Sequence, residues 1–257
     1  MLKKFLASIG VGNAKIDLML DQSQLTMGET ITGHIHVIGG DVEQKVDGLS
    51  VGFRVASRYS NGDQTVHVDE KVADIPITRD QFVLQPREQR EYPFHFTCPH
   101  GIPVSSVTTG YYFQTSLEID FGVDAKDRDY VTVLPNGLQK NFFEGFSRLG
   151  FTHFGEGYTG QRRDTQIVQF RPTSWLAGEY DEIVFMYQPG NTQSHVSGNF
   201  ELDKRNRGLG GFLADQLDLD ERKGYFSFTS SQLATPETAE QTIRNFIIEK
   251  SKGLISG

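Results

Sequence analysis

The chain has 257 residues with a formal net charge of −8, and 37% of its residues are hydrophobic. The excess of carboxylates repels phosphate backbones, which argues against nucleic acid as a partner. Cys98 is the only cysteine, so an internal disulfide and a cysteine metal site are excluded. No apolar run approaches the length of about 20 residues that a transmembrane helix needs, and the apolar part of Met1–Ile9 is too short for a secretory signal. We therefore expect a cytoplasmic protein.

Residues 1–12 are predicted to form a short amphipathic helix. Its apolar positions recur at helical spacing, at Leu2, Phe5, Leu6 and Ile9. Lys3 and Lys4 lie on the opposite face, and Lys3, Lys4 and Phe5 are candidates for a partner-binding surface. The helix could contact a membrane surface, or it could pack on the protein's own sheet or on a second copy of the chain.

Residues 13–135 are predicted to form an antiparallel β-sandwich. Between Lys15 and Val37, apolar residues occupy every second position in two successive runs, which is the pattern of half-buried strands. Gly28 lies at the turn between these runs, where its backbone can adopt a positive φ. Further alternating runs follow at 49–59, 66–77, 82–84, 90–98, 111–120 and 129–134. A series of about eight strands without an intervening helix is typical of immunoglobulin-like sandwiches.

The sequence Leu134-Pro135-Asn136-Gly137 marks the predicted boundary to a second unit. Residues 136–234 are predicted to form a second β-sandwich, which begins with a short linker helix and carries an inserted helix at 209–217. Its strands are predicted at 151–158, 166–171, 182–188, 196–202 and 224–229. A final helix is predicted over 235–257, because Thr235 is a suitable N-cap and Pro236 suits the first helical position.

No group of residues predicts a cofactor or a catalytic site. His34 and His36 share one face of a strand and could form a pair of metal ligands. No third ligand is visible nearby, however, and an exposed polar face also explains them. The acidic stretch Asp120–Asp129 lacks the ligand spacing of a calcium loop. Because nucleophile-elbow, P-loop and metalloprotease motifs are also absent, we predict no catalytic residue, no metal and no cofactor.

Two charged groups are the remaining candidate sites. Arg128 lies between Asp127 and Asp129, just before the last strand of the first domain, and this loop is predicted to be ion-paired and to brace the two domains. Further along the chain, a basic patch is formed by Lys204, Arg205 and Arg207. This patch either holds an anionic partner or forms an ion-paired corner between a strand and a helix.

Four segments carry a family resemblance. They are Leu-Lys-Lys-Phe-Leu-Ala-Ser-Ile-Gly-Val-Gly-Asn-Ala-Lys-Ile-Asp at 2–17, Gly-Glu-Thr-Ile-Thr-Gly at 28–33, Val-Asp-Ala-Lys-Asp-Arg-Asp-Tyr at 123–130 and Phe-Glu-Leu-Asp-Lys-Arg-Asn-Arg-Gly-Leu-Gly-Gly-Phe-Leu at 200–213. In matching order over nearly the whole chain, they resemble the bacterial sporulation-control protein M family. The resemblance implies an arrestin-like fold of two β-sandwich domains. It also implies a cytoplasmic regulator without known catalysis, linked to sporulation or stress physiology.

The expected function is that of a non-enzymatic adaptor that binds other proteins. Two sandwiches offer exposed edge strands, which can pair with a strand of a partner or of a second copy. Self-association through the N-terminal helix or the edge strands is therefore also expected. Two alternatives stay open: a membrane-peripheral regulator that uses Lys3 and Lys4, and a carbohydrate-active sandwich enzyme. The enzyme requires paired carboxylates in a cleft, with candidates at Asp120, Asp124, Asp127 and Asp129.

Overall fold

The computed structural model of the chain describes residues 13–61, 64–120, 122–204 and 221–252. The helix predicted over 1–12 and the inserted helix predicted at 209–217 lie outside the described residues. The last five residues of the predicted C-terminal helix, 253–257, also lie outside them.

The described chain is mainly β, as predicted, with two α-helices. Its strands are β1 (Lys15–Leu20), β2 (Gln24–Thr26), β3 (Thr30–Ile38), β4 (Gln44–Asn61), β5 (Gln64–Thr78), β6 (Phe82–Leu84), β7 (Gln89–Thr97), β8 (Thr109–Ile119), β9 (Ala125–Leu134), β10 (Phe151–Tyr158), β11 (Gln166–Pro172), β12 (Tyr180–Tyr187), β13 (His195–Lys204) and β14 (Glu221–Thr229). The helices are α1 (Gly137–Arg148) and α2 (Pro236–Lys250). The alternating runs seen in the sequence correspond to these strands to within a few residues.

The chain packs into two compact units. Unit 1 contains the described residues up to Ala56, together with those of Asp69–Cys98 and Gly110–Val133. Unit 2 contains those of Ser57–Val68 and Pro99–Thr109, and the described residues from Leu134 onward. The segments 57–68 and 99–109 were predicted to belong to the first domain. The described residues of both segments group with unit 2, a placement that depends on contacts far apart in sequence.

Unit 1 is a sandwich of two antiparallel layers. One layer is a three-stranded sheet in the order β1-β3-β7, and the other belongs to a six-stranded sheet in the order β2-β9-β8-β4-β5, with β6 paired to β4. Buried aromatic rings join the layers: the ring centroid of Phe53 on β4 lies 4.8 Å from that of Phe96 on β7. The ring centroid of Phe113 on β8 lies 5.3 Å from that of Phe94 on β7. The turn before β3 uses Gly28 with φ of 87°, the left-handed conformation that favours glycine.

Unit 2 has its core between one sheet and two helices. Strands β10 to β14 form an antiparallel sheet in sequence order. The core contains Phe142 and Phe146 from α1, and Ala239, Ile243 and Ile247 from α2, packed with residues of this sheet. In the described residues, the helices therefore cover the inner face of this sheet. Neither described helix is long and apolar enough to cross a membrane.

The two helices of unit 2 lie close together. At Gly145 of α1, an added Cβ would lie 2.8 Å from Cδ1 of Ile243 and 3.0 Å from the backbone of Ala239, so only glycine permits this approach without a shift. Arg148 at the end of α1 also forms ion pairs with Glu240 at 3.0 Å and Glu237 at 3.2 Å. These contacts hold α2 against α1.

Replacing Thr235 with alanine is expected to lower the free energy of unfolding by about 1 kcal/mol. The Thr235 side chain accepts a hydrogen bond from the backbone N–H of Thr238, and the Thr238 hydroxyl accepts one from the N–H of Thr235. The variant leaves an N–H at the start of α2 without its partner. Urea unfolding measures the loss. As a control, Gln241→Ala changes an exposed side chain of the same helix and is expected to have a smaller effect. Equal losses in both variants would contradict a specific capping role.

Candidate functional site

Strand β9 separates the three charged residues that the sequence analysis grouped together. The predicted acidic loop is shorter than expected, because regular pairing with β8 already begins at Ala125. Successive side chains of a strand point to opposite faces of the sheet. Asp127 and Asp129 share the inner face with the buried Val131 and Val133, whereas Arg128 is exposed on the outer face. The arginine and the two carboxylates therefore lie in different environments.

The outer face of β9 is cationic and aromatic. It presents Lys126, Arg128 and Tyr130, which are all exposed. The residues opposite them on β8 are Ser116, Gln114 and Tyr112, respectively, none of which is charged. We call these six residues the β9 outer face.

Tyr112 anchors this face. Its hydroxyl donates a hydrogen bond to the Asp69 carboxylate, whose two oxygens both lie 2.9 Å away. Arg54 Nε donates to the same carboxylate at 2.9 Å and to the Tyr112 hydroxyl at 3.0 Å. Burial raises the pKa of Tyr112, and the hydrogen bond with Asp69 raises it further, so the phenol remains a donor at neutral pH. The Arg54–Asp69–Tyr112 network therefore holds the Tyr112 ring in a fixed position.

Arg128 and Tyr130 lie on the anchored ring of Tyr112. The Arg128 guanidinium is 5.2 Å from the Tyr112 ring centroid, a cation–π distance. The Tyr130 ring centroid lies 5.7 Å from that of Tyr112, while 70% of Tyr130 is exposed. Tyrosine and arginine are the residue types that contribute most to binding at protein interfaces. Because both side chains contact the anchored ring, binding a ligand would restrict them less than it would restrict side chains without such a contact.

The inner face of β9 holds an unusual pair of carboxyl groups. Asp127 accepts hydrogen bonds from the backbone N–H groups of Leu18 at 3.0 Å and of Arg128 at 2.8 Å. Oδ2 of Asp129 is buried and has no hydrogen-bond partner. Burial is the largest cause that raises the pKa of Asp129 to about 7; the charge of Asp127, a hydrogen bond with Asp127 and the charge of Asp17 also contribute. Asp129 is therefore partly protonated at neutral pH.

The histidine pair of the sequence analysis lies on the exposed face of the three-stranded sheet. His34 Nε2 is 3.9 Å and His36 Nδ1 is 3.7 Å from the two carboxylate oxygens of Glu91 on β7. Within the described part of the chain, no group of three or more His, Cys, Asp or Glu side chains is arranged to hold a metal ion. Both histidines therefore lie beside Glu91 on an exposed polar face.

Most of the other predicted surface residues lie in parts of the chain that the structure does not describe. Lys3, Lys4, Phe5, Arg205 and Arg207 lie outside the described residues. The backbone of Lys204 ends β13, but its side chain is not among the described ones. Their partner-binding role stays a prediction, as does the bracing of two domains by the segment that contains Arg128.

Sequence reasoning missed Tyr112, Tyr130, Arg54 and Asp69 as members of one site. A signal for part of it was present, because Lys126, Arg128 and Tyr130 alternate with the acidic residues of the same stretch. Because residues 120–129 were predicted to form a loop, this alternation was not recognised as part of a strand. Arg54 and Asp69 have no local signal, since they reach Tyr112 from neighbouring regions of the sheet, 58 and 43 residues away in sequence.

A profile described as SpoOM protein matches residues 2–206 of this chain. The chain belongs to the SpoOM protein family. This confirms the resemblance to the sporulation-control protein M family. Among SpoOM proteins, the sporulation-control protein spo0M of Bacillus subtilis (strain 168) is 29% identical over 257 residues, which cover 95% of this chain and 96% of the relative.

A solved structure of the SpoOM family shares the fold. It is the crystal structure of Spo0M, a sporulation control protein from Bacillus subtilis, with a TM-score of 0.72 at 23% sequence identity. The match covers 93% of this chain and 100% of the crystallised chain. At this level of identity the comparison establishes the fold alone, and it supports the mainly β, arrestin-like architecture.

Proposed function

We propose that this chain is a non-enzymatic cytoplasmic regulator of sporulation that binds other proteins through the β9 outer face. The regulatory part is supported by the family, because the Bacillus subtilis relative is a sporulation-control protein. One observation carries the binding part: Tyr130 is 70% exposed, yet its ring lies on an anchored Tyr112 ring. An exposed tyrosine and an exposed arginine that both contact one anchored ring are typical of protein-binding surfaces.

The proposal is tested by crosslinking and capture in the native cell. The chromosomal gene is replaced with a tagged version that encodes the unchanged chain, Tyr130→Ser or Tyr225→Ser. Tyr225 is the matched control, because it is 65% exposed but lies on β14, in the sheet of unit 2. Proteins captured by the unchanged chain and by Tyr225→Ser are expected to be lost with Tyr130→Ser. An identical set of captured proteins from all three strains would reject this face as the binding surface.

The environment of the β9 carboxyl groups argues against a sugar-cleaving site formed by Asp127 and Asp129. A glycosidase needs one carboxyl group as acid and a second as base or nucleophile, both open to the substrate. Oδ2 of Asp129 is closed to solvent, and the Asp127 carboxylate is occupied by two backbone N–H groups. The raised pKa of Asp129 is therefore not by itself a sign of a sugar-cleaving site.

Self-association and membrane contact are two alternatives to binding a different protein. The edge strands β5 and β14 of the described sheets could pair with a second copy, and residues 1–12 could add a further contact. Light scattering of the full chain measures the mass in solution. Flotation with anionic vesicles tests the membrane-peripheral alternative, which predicts binding at low salt that is lost at high salt.

A further inference from the structure

The charge of the β9 outer face differs from that of the rest of the chain. The whole protein carries a formal net charge of −8, but the six residues of this face include two cations and no carboxylate. The exposed carboxylate of Glu118 lies beyond Ser116, at the next alternate position of β8. Within the described residues, Lys126 and Arg128 form no ion pair with a carboxylate. The nearby Asp69 is already engaged by Arg54 and Tyr112. Both exposed cations are therefore available to an anionic ligand.

The spacing of these side chains is regular. Lys126, Arg128 and Tyr130 occupy alternate positions of one strand, so successive members are separated by about 6.7 Å along it. A polypeptide in an extended conformation presents its own alternate side chains with the same spacing. An extended segment that follows β9 can therefore place two carboxylates over the two cations and a third side chain over Tyr130.

We infer that the β9 outer face binds an extended acidic segment of a partner protein. Carboxylates at two alternate positions of the segment contact Lys126 and Arg128, and an aromatic residue at the next alternate position packs on Tyr130. This inference rests on the proposed function and specifies the chemistry of its partner. The Arg54–Asp69–Tyr112 network supports it, because it fixes the ring on which Arg128 and Tyr130 lie and so reduces the entropy lost on binding.

The test is a titration of the full chain into fluorescein-labelled peptides, read by fluorescence anisotropy. The probe peptide contains Glu-Thr-Glu-Thr-Tyr between glycine-serine ends. A control peptide contains Glu-Glu-Thr-Thr-Tyr, which has the same composition but adjacent acids. The probe is expected to bind more tightly than the control. Its affinity should fall as the salt concentration rises from about 50 mM to about 500 mM, because exposed charges are screened.

Variants assign the binding to this face. Arg128→Glu is expected to weaken binding of the probe peptide at least about tenfold. The matched control Arg162→Glu changes an exposed arginine in the turn before β11 and is expected to change the affinity less than about twofold. In a swapped peptide, lysine replaces both glutamates. This peptide should bind the Arg128→Glu variant more tightly than it binds the unchanged chain. A variant that merely unfolds would not produce this reversal.

Several outcomes would overturn the inference. They are no saturable binding of the probe at a protein concentration of about 1 mM, equal affinity for both peptides, and equal losses in Arg128→Glu and Arg162→Glu. Tighter binding to phosphatidylserine vesicles or to a single-stranded oligonucleotide, abolished by Arg128→Glu, would assign the face to phosphate groups instead. If neither peptide binds but the Tyr130→Ser variant still fails to capture the proteins that the unchanged chain captures, only the proposed acidic chemistry of the partner is rejected. If Tyr130→Ser loses none of them, the proposed function itself fails.

Discussion

Replacing Phe142 with alanine is expected to lower the free energy of unfolding of unit 2 by about 3 to 5 kcal/mol. Phe142 is fully buried on α1, and its ring contacts rings from the helix and from several strands. These neighbours are Phe143, Phe146, Phe170, Phe185, Tyr187, Phe226 and Phe228. Truncation removes buried apolar surface and leaves a cavity that a rigid sheet cannot close.

Urea unfolding of the full chain, followed by circular dichroism, measures this loss. Phe142→Leu conserves most of the volume and is expected to cost less than about 1.5 kcal/mol. Val107→Ala is the surface control, since Val107 is 78% exposed, and it should change stability by less than about 0.5 kcal/mol. A loss below about 1 kcal/mol for Phe142→Ala would contradict the packing of α1 on the sheet.

Asp129→Asn is expected to stabilise the protein at pH 8 and to have little effect at pH 4. The folded-state pKa of Asp129 is raised to about 7 from the ordinary value of 3.8. Between these two values the folded chain holds a proton that the unfolded chain has released. The contribution of Asp129 to stability therefore falls as the pH rises through this window. Asparagine has no charge to bury and can still donate a hydrogen bond to Asp127.

The expected gain of Asp129→Asn at pH 8, relative to pH 4, is about 1 to 2 kcal/mol once solvent screening of a partly buried group is allowed for. Urea unfolding at several pH values measures it as the difference between the variant and the unchanged chain. Asp80→Asn, at an exposed position before β6, provides the control and should show no such pH-dependent difference. Parallel stability curves for Asp129→Asn and the unchanged chain would mean that Asp129 is ionised in the folded state at neutral pH.

The two sides of β9 offer independent tests, because different roles are proposed for their residues. The outer face carries the proposed binding residues, whereas the inner face carries the carboxyl pair that affects stability. Asp129→Asn should therefore leave the affinity for an acidic peptide nearly unchanged. Conversely, Arg128→Glu should leave the pH dependence of unfolding nearly unchanged, since Arg128 is exposed on the other face.

Much of the secondary structure could be predicted from the sequence. The predicted strand at 151–158 coincides with β10, and the predicted strand at 224–229 ends with β14 at Thr229. The start of the C-terminal helix was also predicted, because Thr235 and Pro236 form the cap that the structure contains. These features depend on residues within a few positions of one another, and periodicity and capping signals report such local effects.

The candidate site was predicted only in part. Arg128, Asp127 and Asp129 were recognised as a charged group because they are adjacent in sequence. Adjacent residues of a strand point to opposite faces, however, so the arginine and the carboxyl groups do not form one cluster. In a loop, the arginine and the two carboxyl groups could have approached one another. Because β9 already begins at Ala125, they lie on opposite faces of the strand.

Some features were accessible only through the tertiary structure. In unit 2, Gln139 donates a hydrogen bond to the Tyr187 hydroxyl at 2.9 Å, and that hydroxyl donates to Gln166 at 2.8 Å. All three are buried, although no local pattern marks the two glutamines as interior residues. These hydrogen-bond partners are distant in sequence and offset much of the cost of burying the amides, whereas Oε1 of Gln139 is buried without a partner in the described part of the chain.

The alternating strands, the N-cap of the C-terminal helix, the acidic net charge and the membership of the SpoOM family could all be recognised from the sequence. The pairing of the strands, the side of β9 that faces the core, and the support of Tyr112 by Arg54 and Asp69 beneath Arg128 and Tyr130 depend on tertiary contacts. The two groups of features differ in range. Backbone conformation responds to near neighbours in sequence, whereas the solvation and charge environment of a side chain depend on residues that folding brings together.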